Sequence, residues 1–141
     1  MKIALTGDVM LGRLVNSEVV AQSHLPPEVL WGDVLPLLLG SDLRLANLEC
    51  VISSRGEPWL PSAKAFHFRA HPRAIEFLRA ARIDCVTLAN NHSLDYGAEA
   101  LSECLALLDR AGIRRAGAGV DLAGALEAAW LGGPRGRVAV L

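Results

Sequence analysis

Aromatic residues make up only 5% of the 141 positions, so the core has to be built from aliphatic side chains, chiefly Leu, Val, Ile and Ala. Cysteine is also sparse: Cys50, Cys85 and Cys104 form no C-x-x-C pair and are too scattered for a disulfide framework. They read as small buried hydrophobes in a reducing compartment. No long basic run is present and the net charge is −1, which gives no electrostatic footprint for nucleic acid. No apolar run reaches the ~18 residues that cross a bilayer. No signal-peptide apolar region is expected ahead of "MKIALTGD". The expectation is a chain with neither segment in residues 1–141, its localisation left open. Internal repeats, low-complexity tracts and linkers are absent too, so one domain is expected.

What remains is a globular composition with 52% hydrophobic and 21% charged residues. The apolar pattern predicts strands over 2–6, 43–48 and 84–89, and a fourth short strand with its turn in "IRRAGAG", 113–119. Residues 29–39, "VLWGDVLPLLL", are interrupted by Gly32 and Pro36 and predict short helical turns. Residues 51–65 are rich in Ser, Gly and Pro and predict an exposed loop, followed by a short extended segment at "AFHFRA". Pro72 suits the first turn of a helix carrying Ile75, Leu78 and Arg82. Ala98, Leu101, Leu105 and Leu108 mark one face of a longer helix, with Asp95 as its expected N-cap and Gly112 as its C-cap. A short helix is expected over 121–125. "EAAWLGGPRGRVAVL" predicts a hairpin about the Gly-Gly-Pro-Arg-Gly turn. Strands alternating with helices mean α/β layering on a mostly parallel sheet.

Three of these strands finish on polar groups. The first ends at Gly7-Asp8, the second at Asn47-Leu48-Glu49, and the third at Asn90-Asn91-His92. Ligands of open parallel α/β sheets sit at the carboxyl ends of the strands. If the three are neighbours, Asp8, Asn47, Glu49, Asn91 and His92 meet on one rim. Hard oxygen donors with an imidazole suit a divalent metal: Mg, Mn, Fe or Zn. Each residue alone has a plainer reading: a turn former for Asp8, Asn47, Asn90 and Asn91, a surface carboxylate for Glu49, a structural histidine for His92. The recurrence at three successive strand ends favours the joint reading. His24, His67 and His71 are expected to serve structure. Lys64 in the loop and Arg13 are the candidates for binding an anionic substrate, with a solvated side chain as the alternative for both and for Arg69.

"GDVMLGR", "ANLE", "FHFRAHP", "ANNHSLDYG", "AGI" followed by "GAG", and "GRVAVL" together resemble the CapA family of capsule and poly-γ-glutamate synthesis proteins, in order and spacing from Lys2 to Leu141. That family is similar to calcineurin-like metallophosphoesterases. The resemblance therefore implies the N-terminal half of an α/β/β/α sandwich, so that residues 1–141 are a single partial domain with a C-terminal hairpin. It implies a metal-dependent hydrolase or transferase acting on a phosphoester or an anionic polymer, with possibly two metals in the full-length protein and capsule-synthesis membrane proteins as partners. Asp8, Asn47, Glu49 and Asn91 match the ligand positions, and His92 matches the histidine that protonates the leaving group. Met10 stands where the phosphoesterases carry a histidine and is a poor ligand for hard metals. The opposing expectation is a non-catalytic binding or assembly component. A chain that stops at "VAVL", inside a hydrophobic strand, is also expected to expose apolar edge near 138–141 and to self-associate.

Overall fold

The computed structural model describes residues 1–60, 64–133 and 136–141. Four strands form the central sheet: β1 (Ile3–Val9), β2 (Leu43–Leu48), β5 (Cys85–Thr87) and β6 (Arg114–Ala116). Their spatial order is β1-β2-β5-β6 and every pairing is parallel. Parallel neighbours need crossovers, and the helices supply them. The segment between β1 and β2 holds α1 (Arg13–Val15), a π turn (Asn16–Val20), two 3-10 turns (Pro27–Leu30 and Gly32–Val34) and α2 (Leu35–Leu39). α3 (Ala74–Ala80) precedes β5, α4 (Gly97–Ala111) links β5 to β6, and α5 (Leu122–Leu126) follows β6. A two-residue parallel pair, β3 (Val51–Ile52) with β4 (Arg69–Ala70), lies beside α4. The chain is thus mixed α/β with a parallel central sheet.

One face of the sheet is covered by helices, and the hairpin covers the other over β2, β5 and β6. One face carries the main core, in which Leu48, Val86 and Leu88 meet Phe77 and Leu78 of α3 and Leu105 and Leu108 of α4. On the other, Leu43, Cys85 and Ala116 meet Ala129, Leu131 and Val140 of the antiparallel hairpin β7 (Ala129–Gly133) and β8 (Gly136–Val140). Alternate residues of one strand serve the two layers, which is why β2 and β5 read as nearly continuous apolar runs. Pro134 and Arg135 of the expected hairpin turn, and residues 61–63 of the expected loop, lie outside the described residues. Among the described residues no helix is long and apolar enough to cross a membrane.

The loop between α1 and α2 is tied down by one side chain. Arg73 donates to the carbonyls of Val20, Gln22 and Leu25. A planar guanidinium with five donors satisfies several loop carbonyls at once in a fixed fork geometry.

Two local expectations need correction. β1 does not stop at Gly7-Asp8 but runs to Val9 through a register shift between Leu5 and Asp8. Gly7 sits there at φ +68, so it makes a bulge inside the strand and not a terminating turn. α4 begins after Tyr96, and Asp95 does not cap it; its N-cap residue is Tyr96, which makes no side-chain cap bond. The turns of Arg13–Val15 and Asn16–Val20 had no counterpart in the sequence pattern. Gly112 does close α4 in the left-handed conformation, and Asp121 caps α5 by accepting from the Gly124 N–H.

Candidate functional site at the carboxyl ends of the strands

Register brings the polar strand ends together. Asp8 of β1 pairs with Asn47 of β2, and Asn47 pairs with Thr87 of β5. Residues level across parallel strands point to the same face, so the three side chains form one row. The Gly7 bulge makes this possible. It shifts the register of β1 by the amount that brings Asp8, and not its neighbour, level with Asn47.

Hydrogen bonds run along this row and beyond it. Asn47 Nδ2 donates to Asp8 Oδ1 at 2.8 Å and also to Glu49 Oε2. Asn47 Oδ1 accepts from Thr87 Oγ1 at 3.2 Å and Asn90 Nδ2 at 3.0 Å. Asn90 also donates to the Leu48 carbonyl, while its Oδ1 accepts from the His92 N–H and from Ser93 Oγ. Backbone groups therefore decide the orientation of both amides. The His92 N–H can only donate and the Leu48 carbonyl can only accept, which fixes Asn90. Asn90 in turn presents its NH2 to Asn47, so the Asn47 oxygen must face inward and its NH2 must face the carboxylates. As bonded here, Asn47 is the donor that joins Asp8 to Glu49, and its oxygen is turned away from them.

His92 completes the rim. Its Nε2 is 3.9 Å from Glu49 Oε1, outside hydrogen-bond range but within range of charge attraction. Its Nδ1 lies 2.6 Å from Asp95 Oδ2. The imidazole stacks on Phe68, with centroids 4.0 Å apart and an interplanar angle of 21°. Burial pushes the Asp95 carboxyl up, but contacts with Lys64, His92 and the Phe68 N–H outweigh it and hold the group below its ordinary value.

The candidates are thus distributed unevenly. Asp8, Asn47, Glu49 and His92 meet. Asn91 is beside them in sequence and exposed, and none of the described residues bonds its side chain; its backbone carbonyl accepts from Lys64. Lys64 also pairs with Asp95, so its ammonium is engaged inside the protein and is not free at the surface. Arg13 sits over the exposed ring of Phe66, 4.8 Å from the centroid, and Phe66 stacks on Phe68. Its backbone lies at φ +52, a region that non-glycine residues seldom adopt. Arg69 donates to the carbonyls of Arg55 and Gly56 and covers Tyr96 at 4.1 Å. Met10 Sδ accepts the Gly12 N–H, which occupies the thioether with local backbone. His67 faces the Trp59 carbonyl, and His71 Nδ1 accepts the Arg73 N–H.

Thr87, Asn90 and Phe68 escaped the sequence reading as contributors. Asn90 carried a signal, since it precedes Asn91-His92 directly, but a turn role was enough to explain it. Phe68 is 24 residues from His92 and nothing local couples them.

Asp8 and Glu49 are two hard anionic donors held close by one amide. That set fits a hard cation in charge and type. It does not form a closed shell: among the described residues no three His, Cys, Asp or Glu side chains stand at metal-binding spacing. The Asn47 NH2 holds the position between the carboxylates.

Comparison with known proteins gives the family. The family model described as bacterial capsule synthesis protein PGA_cap matches residues 2–141. A probable polyglutamine synthesis accessory protein of Mycobacterium tuberculosis is 38% identical over 128 residues, covering 88% of this chain and 32% of its own length. The capsule biosynthesis protein CapA of Bacillus anthracis is 28% identical over 120 residues, covering 84% and 28%. The PGA biosynthesis protein CapA of Bacillus subtilis is 24% identical over 125 residues, covering 89% and 32%. The chain spans about a third of the length of these curated relatives.

Proposed function

The chain belongs to the bacterial capsule synthesis protein PGA_cap family, and on that premise we propose that residues 1–141 are a partial domain carrying one wall of a metal-assisted hydrolase or transferase site. The substrate class is a phosphoester or an amide or ester of an anionic polymer, in capsule or poly-γ-glutamate synthesis. The names of the relatives support the process. The observation that carries the site is the in-register row of Asp8, Asn47 and Thr87, flanked by Glu49 and His92.

Asp8 and Glu49 would hold the ion, with the Asn91 amide as a third oxygen donor. When bound, a divalent metal polarises a substrate oxygen and lowers the pKa of its water. His92 takes the proton work: with Nδ1 committed to Asp95, only Nε2 is left to give or take a proton at the rim. In the imidazolium form it gives that proton to a leaving oxygen or nitrogen, and Asp95 and Glu49 flank the charge. Arg13, stacked on the exposed Phe66 ring, is proposed to bind an anionic group of the substrate.

A second reading rests on the Asn47 amide between the carboxylates, which satisfies both without any ion. On that reading the chain is a binding or assembly component, and capsule-synthesis membrane proteins are its partners. His92→Ala in the full-length protein separates the two. Loss of turnover on phosphoesters or on poly-γ-glutamate supports catalysis; unchanged polymer production with metal-free protein supports assembly.

A further inference from the structure

Asp95 is 2% exposed, the most buried ionisable oxygen group at the rim. Both of its oxygens are in use. Oδ2 accepts from His92 Nδ1 at 2.6 Å and from the Phe68 N–H at 2.6 Å, and Oδ1 pairs with Lys64. Neither oxygen turns to α4, whose N-cap makes no side-chain cap bond. An aspartate just before a helix that forgoes the cap has a stronger use for its acceptors.

We propose that Asp95 is the positioning residue for His92, holding the imidazole as the Nδ1–H tautomer and presenting Nε2 at the rim toward Glu49. An ionised carboxylate can only accept, so the nitrogen facing it must carry the hydrogen. Phe68 fixes the remaining freedom, the tilt of the ring plane. The same carboxylate oxygen binds the Phe68 backbone N–H, so Asp95 sets the ring and the wall it leans on together. Lys64 neutralises the buried charge, which would otherwise be costly. This assigns Lys64 to the support of the site and not to substrate. The inference rests on the reading of His92 as the proton-transfer group.

Long-range 15N–1H spectra of the imidazole rings test it, at a pH high enough for the ring to be neutral. His92→Gln identifies the His92 signals among those of the four histidines. The expected wild-type result is a protonated-type Nδ1 and an unprotonated-type Nε2. An Nε2–H tautomer in the wild type overturns the proposal even if no variant folds. Asp95→Ala should move His92 toward the Nε2–H form and lower kcat by about 100-fold or more with little change in KM, the scale of a proton-transfer contribution. Asp95→Asn, whose amide oxygen can still accept from both N–H groups once Lys64 swings away, should keep the Nδ1–H form and part of the activity. Asp95→Ala that loses only thermal stability, with tautomer and kcat unchanged, overturns the positioning role. A correct tautomer together with full activity in His92→Ala overturns the reading of His92 and not the role of Asp95.

Discussion

Asn90 Nδ2 lies 3.0 Å from Asn47 Oδ1, and this contact decides which end of Asn47 the carboxylates meet. Asn90 is held by two backbone groups of unambiguous sense, so the amide pair has one satisfied arrangement. Asn90→Ala removes those bonds and leaves the Leu48 carbonyl and the His92 N–H without their partner. It is expected to destabilise the protein by about 1–3 kcal/mol. The midpoint of denaturant unfolding at constant slope measures this.

Asn47→Asp should have opposite effects with and without a metal. A carboxylate at 47 would face Asp8 and Glu49 with no hydrogen between them, so the metal-free protein loses stability at neutral pH. A divalent cation resolves that repulsion. The expected outcome is a lower melting temperature alone and a larger rise on adding Mn2+ than in the wild type, read by thermal shift.

Acid should loosen the 53–54 turn and the rim. The Ser53 hydroxyl, with the Ser54 N–H and hydroxyl, holds the Glu103 carboxyl below its ordinary value against the opposing effect of burial, and Asp95 is held low as well. A carboxylate with a depressed folded pKa contributes stability that is fully present above the unfolded value of about 4 and is lost as pH falls through the lower folded value. Glu103→Gln should flatten part of this fall. Unfolding free energy measured from pH 7 down to pH 3 shows whether it does.

The three thiols should be inert in the native state. Burial pushes Cys50 up to about 12 and Cys85 and Cys104 up to about 11, and all three are buried. Reaction with an aromatic disulfide reagent should be slow until denaturant is added, then release three equivalents.

Self-association is expected at β1 in addition to the hairpin. Among the described residues β1 pairs with β2 alone, and Leu5 on it is 75% exposed beside Ile3, Val34 and Leu37, which line one apolar cleft. Near the other edge, Leu141 is exposed but Val140 is buried against the sheet. Leu5→Lys should lower the apparent mass of the isolated chain in light scattering, as a charge on an edge strand does.

The architecture was legible because periodicity and punctuation are local. β2 was readable from its apolar run, and α4 from the spacing of Leu101, Leu105 and Leu108 and the glycine that closes it. The convergence of Asp8, Asn47, Glu49 and His92 was legible from one rule about strand ends. What stayed hidden was long-range. Asp95 looked like a helix cap because a cap needs only a position, whereas two of the three partners that hold it, Lys64 and Phe68, are 31 and 27 residues away, beside the local His92. Gly7 looked like a turn because a glycine marks both turns and bulges, and only the pairing with β2 tells them apart. The amide sense of Asn47 depends on Asn90, 43 residues on, so composition could name it a ligand type but not a donor.

The central claim, that the row ending β1, β2 and β5 is the metal-dependent site, is tested most directly by Mn2+ titration of the protein followed by electron paramagnetic resonance, beside Asp8→Asn and Glu49→Gln. Saturable binding is expected in the wild type, weakening at least about tenfold in each variant, the scale expected for loss of one charged ligand (~1.4 kcal/mol or more). Binding that is absent in the wild type, or unchanged in both variants, would contradict it.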